Sequence, residues 1–149
     1  MHTLGIIGNG FVGSAVACGF SCVPTPMNLS TSSIDLAIMD SVFNSIHEVR
    51  ERKDNIFIIK STVTPGAVEK YIDKYPDMEI IHSPEFLTER SARLDFINAS
   101  RIILGGAPKN TEKVKKLFRA RFPATKIIET DATTAQFIKY MNNTFFAVK

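Results

Sequence analysis

The sequence predicts an α/β fold, a mostly parallel sheet of about five strands with helices on both faces. Three observations predict it. Short apolar, β-branched runs alternate along the 149 residues with longer segments of helical period. The first of those runs, residues 4–7, is a short apolar run, as a buried strand is. Between the first run and the first helical segment lies a glycine-rich turn, Gly8-Asn9-Gly10-Phe11-Val12-Gly13. The length suits one domain with a sizeable core, so residues 1–149 are read as a single domain.

Residues 4–7 form the first strand, which ends in Gly8. Small apolar residues over 11–20 (Val12, Ala15, Val16, Ala17) predict a helix packed tightly on a sheet. Val23-Pro24-Thr25-Pro26 then breaks regular structure, and 28–33 reads as a polar loop. Ser32 with Asp35 makes a capping-box pattern. Behind it Ile38, Met39, Val42, Phe43, Ile46 and Val49 recur at helical spacing to about Arg52. Residues 56–60 form a strand, and Thr64-Pro65 opens a helix with Pro at its first position. Val68, Tyr71 and Ile72 mark that helix's buried face. Residues 79–82 are a strand, and 84–95 a loop or helical turn. Residues 101–104 form a strand that ends in Gly105-Gly106. Residues 110–122 are an amphipathic helix through Val114, Leu117, Phe118 and Phe122, which Pro123 stops. A last strand spans 126–129, and 132–149 is helical to the final residue.

The glycine turn follows a strand and opens a helix, which makes the fold Rossmann-like. Gly8 permits the tight turn, Gly10 lets a pyrophosphate approach the backbone, and Gly13 lets helix and strand pack closely. The helix N-terminus offers N–H groups to a phosphate, so the expected cofactor is a nicotinamide dinucleotide. Such a site also uses an acid ~20 residues on to hold the ribose hydroxyls. Spacing offers Asp35, but Pro24 and Pro26 spoil the stretch before it as a central strand, and Asp35 reads as a capping residue. The usual second strand region is therefore expected to be missing, and cofactor affinity to be weak.

Composition narrows the function classes. Hydrophobic residues at 44% and charged residues at 22% are the balance of a soluble globular chain. No apolar run approaches the ~20 residues of a membrane span, and no secretory signal pattern opens the chain, so a cytoplasmic location is expected. The net charge is +3, and its densest basic stretch (Lys113, Lys115, Lys116, Arg119, Arg121) reads as a solvated helix face, so no nucleic-acid partner is expected. Cys18 and Cys22 lack further Cys or paired His, which makes a metal site unexpected. They read as small hydrophobes near a helix end.

Several segments together resemble the UDP-glucose/GDP-mannose dehydrogenase family, in the family's order. They are Gly8 to Gly13 with Ser14-Ala15; Val23-Pro24-Thr25-Pro26 with Ile34-Asp35-Leu36; and Lys60-Ser61-Thr62-Val63-Thr64-Pro65-Gly66. Then come Ser83-Pro84-Glu85-Phe86-Leu87-Thr88-Glu89 with Arg101-Ile102-Ile103-Leu104-Gly105-Gly106, and finally Ala135-Gln136-Phe137-Ile138-Lys139-Tyr140-Met141-Asn142-Asn143. The resemblance covers nearly the whole chain and the N-terminal portion of the family's subunit. It implies NAD as cofactor and a nucleotide sugar as substrate, UDP-glucose in preference to GDP-mannose. The family oxidises the sugar's C6 alcohol to a carboxylate in two NAD-dependent steps, through a cysteine thioester, for polysaccharide biosynthesis.

Carried over by resemblance, Gly8, Asn9, Gly10, Phe11, Val12 and Gly13 hold the pyrophosphate, and Pro24 and Thr25 line the ribose and adenine side. Ser61 and Thr62 sit at a strand's C-terminal end, with Thr62 holding water near the nicotinamide. Glu85 is the general base of the hydrolysis, Glu89 faces the cofactor, and the backbone from Glu85 through Phe86 and Leu87 to Glu89 meets the sugar. Lys139 assists proton transfer and stabilises the oxyanion, and Asn143 binds substrate. Spacing adds that Lys139 and Asn143, at i and i+4, share one helix face.

The sequence departs from the family pattern in three places. A strand and helix unit is expected to be missing between the first helix and Val23, where a βαβ unit needs ~30 residues. The helix bearing Lys139 ends at Lys149, so 137–149 are read as the beginning of the helix leading to the central and substrate domains. The family's catalytic cysteine lies beyond it, so the 149 residues alone are expected to be inactive, and most of the helix that makes the family a homodimer lies beyond it as well. Gln136 stands where Glu is common, and Arg90 where a small residue is common. A rival reading is a non-catalytic binding or assembly module, favoured by Phe145, Phe146 and Val148 near the end.

Overall fold

A computed structural model describes residues 6–7, 10–21, 31–32 and 56–149. The predicted helix over about 33–52, together with Gly8, Asn9, Cys22, Pro24, Thr25 and Asp35, lies outside the described residues. Chain contacts divide the protein into two units, Met1–Asp54 with Leu87–Asn98, and Asn55–Phe86 with Ala99–Lys149.

In the first unit, β1 (Ile6–Ile7) pairs in parallel with β2 (Thr31–Ser32), in register Ile6 to Thr31 and Ile7 to Ser32. The sequence reading has only a polar loop at 28–33 and expects no second strand after the first helix; a two-residue one pairs with β1 here. Two hydroxyl-bearing residues leave no hydrophobic period to read, although Thr suits a strand backbone. After Gly10 the chain enters α1 (Phe11–Ser21), which buries Ala15, Val16, Gly19 and Phe20. Phe20 tilts against Phe96, on this unit's short helix over Ala92–Ile97, at a centroid distance of 6.3 Å.

The second unit is built on a four-stranded sheet. Its strands are β3 (Ile56–Ile59), β4 (Glu79–His82), β5 (Arg101–Gly106) and β6 (Lys126–Thr130), hydrogen-bonded in that order. β3–β4 and β5–β6 are parallel, while β4–β5 is antiparallel through Ile81 with Gly106 and His82 with Gly105. The sheet is thus mostly parallel, with four strands here and a separate pair in the first unit. On β5, Ile102 to Gly105 are buried without interruption. Successive strand residues point to opposite faces, so unbroken burial means that both faces of β5 are covered.

The helices are α2 (Ala67–Lys74), α3 (Ala92–Ile97, in the first unit and the helix bearing Phe96), α4 (Pro108–Arg121) and α5 (Ala132–Val148). Val68 of α2, Val114 and Phe118 of α4, and Ala132 and Ala135 of α5 are buried with Ile80, Ile81, Ile103 and Leu104 of the sheet. Each fully buried Ile or Leu contributes about 1.5–3 kcal/mol. Asp131 caps α5 by accepting from the Thr134 N–H at 2.7 Å. α2 opens two residues later than Thr64-Pro65 implies. Ala67 N–H donates to the Thr64 carbonyl at 3.0 Å, and Gly66 has φ 88° and ψ −4°. Pro65-Gly66 is therefore the centre of a type II turn, whose third residue needs positive φ. The basic residues of α4 meet acids: Lys109 and Lys113 reach Glu79 at 3.0 and 3.1 Å, and Lys115 reaches Glu129 at 2.6 Å. Among the described residues no helix is long and apolar enough to cross a membrane, and no cluster of three metal-ligating side chains occurs.

Candidate functional site

In the first unit, Gly10 directly precedes α1, whose first turn carries no acidic residue. The Ser14 N–H reaches back to the Gly10 carbonyl at 2.9 Å. A Cβ at Gly10 would meet nothing within 4 Å among the described residues. Open backbone at the positive end of a three-turn helix fits a pyrophosphate. Phe11 and Ser14 line a cavity of about 470 Å³ together with Glu89, Arg90 and residues 91–94. The structure thus brings Glu89 and Phe11 to one place, and it sets Arg90 beside them. The segment before α3 is held by Asp95, which accepts from the Thr88 N–H at 2.8 Å and from the Thr88 and Ser91 hydroxyls at 2.9 Å each. The Thr88 N–H and these hydroxyls hold the Asp95 carboxyl below its usual value. Val12 and Gly13 lie within the first turn of α1, both half-buried, and Leu87 is half-buried at the start of this segment.

In the second unit, β3 and β4 run in parallel and end side by side, delivering Ser61 and Thr62 from one and Ser83 to Phe86 from the other. The Ser83 N–H extends the ladder to the Ile59 carbonyl at 2.8 Å. The Lys60 ammonium donates to the Ser83 carbonyl at 2.9 Å and lies 3.3 Å from its hydroxyl. Pro84 fixes the backbone just before Glu85. From α5, the Lys139 ammonium meets the Glu85 carboxylate at 3.2 Å, with the two side chains only 7% and 9% exposed. Phe86 lies under both the Lys139 ammonium, at 5.5 Å, and the Arg101 guanidinium, at 5.1 Å. Burial pushes the Lys60 ammonium down to about 8; Glu85 pulls it up, and Lys139 adds to the fall.

Of the predicted residues, Glu85, Phe86 and Lys139 thus come together. Thr62 is half-buried and Ser61 exposed just beyond β3, and Asn143 is exposed one turn after Lys139. Gln136 is fully buried. Its amide donates to Glu69 at 2.8 Å and to the Ala132 carbonyl at 2.9 Å, and its oxygen accepts the Val68 N–H at 3.1 Å. It therefore ties α2 to α5. Burial works against the Glu69 carboxylate, yet hydrogen bonds from Thr133 and Gln136 bring it below its usual value.

Two groups escaped the sequence reading of the site. Lys60 closes a strand and opens the Lys60 to Gly66 segment of the resemblance, but nothing in the sequence gives it a role at the site. His82 reads from sequence as packing or solvent-facing, and it is fully buried. Its Nε2 lies 3.2 Å from the Ser61 carbonyl, which assigns the proton there, and Nδ1 has no hydrogen-bond partner among the described residues. Burial lowers the imidazole to about 4 from 6.5. The unfolded chain thus protonates His82 below pH 6.5, while the folded chain resists until about pH 4. Stability is expected to fall across that window by on the order of 3 kcal/mol. Urea unfolding at stepped pH should show this slope, and His82→Leu should flatten it; equal slopes would refute the assignment.

Comparison with known proteins follows the same lines. Residues 14–122 match the sequence model described as "UDP-glucose/GDP-mannose dehydrogenase family, NAD binding domain". The chain is 33% identical over 136 residues to UDP-glucose 6-dehydrogenase of Rickettsia conorii, covering 87% of this chain and 31% of that protein. It is 33% identical over 133 residues to UDP-N-acetyl-D-mannosamine dehydrogenase of Pyrococcus horikoshii, covering 83% and 31%. The chain thus spans less than a third of the length of these relatives. In fold it is similar to GDP-mannose dehydrogenase of Pseudomonas aeruginosa, with a TM-score of 0.77 at 18% identity over 99% of this chain and 50% of that one. NAD is the cofactor of the matched domain, in keeping with the open phosphate-sized approach at Gly10.

Proposed function

The chain belongs to the UDP-glucose/GDP-mannose dehydrogenase family, and on that premise we propose that residues 1–149 form one NAD-binding domain of a nucleotide-sugar dehydrogenase. The substrate proposed is UDP-glucose, oxidised at C6 to the carboxylate. The observation that carries the reading is the buried Glu85–Lys139 pair, a cation and a base held together beside the C-terminal ends of parallel strands. Ligands bind at such strand ends in open α/β sheets.

NAD, when bound, supplies the hydride acceptor. Lys139 stabilises charge on the alcohol oxygen as its proton leaves. Glu85 is the general base for the later hydrolysis. Thr62 holds water, Phe86 and Leu87 present backbone to the sugar, and Asn143 binds it from the next turn of α5. Gly10, Val12 and Gly13 form the phosphate-binding helix start, and Phe11 and Glu89 the cofactor cavity. UDP-glucose is preferred to GDP-mannose because the Rickettsia relative carries that name.

Calorimetry with NAD tests the reading. The domain should bind NAD, and Gly10→Ala should weaken binding at least tenfold, because a Cβ there meets no described atom and would stand in the open approach to the backbone. Equal affinity, or no binding by either protein, would overturn it. The 149 residues alone, with no cysteine after Cys22, should make no NADH from UDP-glucose. A second reading, an assembly module, is favoured by exposed Phe137, Tyr140, Met141, Phe145, Phe146 and Val148 on α5. Self-association without NAD binding would select it.

A further inference from the structure

We propose that Lys60 is a positioning residue for the Glu85–Lys139 pair: it fixes the backbone leading to Glu85, and its charge competes with Lys139 for the same carboxylate. What the pair does chemically rests on the function proposed above; the coupling itself does not.

The first argument is geometric. Three bonds stitch the ends of β3 and β4 together: Ser83 N–H to Ile59, Lys60 to the Ser83 carbonyl, and His82 to the Ser61 carbonyl. Ser83 is fully buried, and Pro84 alone separates it from Glu85. Lys60 therefore anchors the chain two residues before the carboxylate.

The second argument is electrostatic. The charged and titratable groups facing Lys60 are Glu85 after β4, Lys139 on α5 and His82 on β4, with Glu69 on α2 facing His82. His82 stays neutral above about pH 4, so the charges acting on Lys60 are Glu85, which favours its ammonium, and Lys139, which opposes it. If the task were only to hold the Ser83 carbonyl, a neutral donor would avoid the desolvation cost of an ammonium. A lysine differs from an arginine here in being able to lose its charge. With Lys60 charged, Glu85 is held from two sides; with Lys60 neutral, Lys139 holds it alone.

Backbone amide NMR of the 149-residue chain between pH 6.5 and 9.5 tests this without NAD or substrate. The Ser83, Glu85 and Phe86 amides should shift together with a midpoint near 8. Lys60→Gln keeps an N–H donor and should abolish the step. Lys60→Arg keeps the charge, and should abolish the step while leaving these signals near their low-pH positions. A step that persists in either variant, or no step in the wild type, would overturn the proposal. The NAD calorimetry reads the other unit's Gly10, so failure there and failure here are separable.

Discussion

Replacing Glu85 by Gln is expected to cost about 3–5 kcal/mol of folding stability, the range seen when one partner of a buried ion pair is removed. The substitution keeps the shape and removes only the charge. Lys139 and Lys60 then face each other without the carboxylate that offsets both. An exposed pair would cost under about 1 kcal/mol, so urea unfolding at pH 7 separates a buried pair from a surface one. The sign with pH is also fixed. Glu85 is the group that raises Lys60, so in its absence Lys60 gives up its proton more readily. The penalty should therefore shrink as pH rises toward 9, where one of the two cations is lost. Adding Lys139→Met to Glu85→Gln should recover part of the loss, because a neutral pair leaves no uncompensated charge. A Glu85→Gln cost below about 1 kcal/mol, or a penalty that grows with pH, would refute the pairing.

Much of this arrangement could be read in the sequence, for identifiable reasons. Apolar β runs such as residues 102–104 reveal themselves because burial on both faces leaves no polar residue among them. Thr31–Ser32 does not, because two residues carry no period. The antiparallel β4–β5 step is equally silent: strand direction is set by tertiary pairing, and each strand shows only a short apolar centre (Ile80-Ile81, Ile102 to Leu104) that reads the same in either direction. Pro65 misled because proline suits both a helix start and the second position of a type II turn, and Gly66 decides for the turn. Within the site, resemblance alone points to Glu85 and Lys139, while their contact depends on two elements far apart in sequence. Lys60 could have been suspected, since a lysine after Ile56-Phe57-Ile58-Ile59 ends in water or meets a buried partner.

Gly105→Ala is expected to destabilise the protein by about 3 kcal/mol, the upper end for overpacking, and to disturb the site as well. β5 and α5 meet at this glycine. A Cβ there would overlap the Ala135 Cβ and lie 2.7 Å from the Asp131 carbonyl oxygen and 3.2 Å from the Ala132 Cα. Two of these are backbone atoms in the first turn of α5, so no rotamer change relieves the clash, and the helix start must move. The conformational gain from replacing a strand glycine, at most about 1 kcal/mol, does not offset this. Ala135 lies one turn before Lys139 on the same buried face. Displacing α5 therefore draws the Lys139 ammonium from Glu85, which it meets at 3.2 Å. The two consequences can be told apart. Adding Ala135→Gly removes the overlap with the Ala135 Cβ but leaves the Asp131 carbonyl in place, so rescue should be partial. A Gly105→Ala protein as stable as the wild type would mean that α5 does not seat on β5 this closely, and the position of Lys139 would have to come from elsewhere.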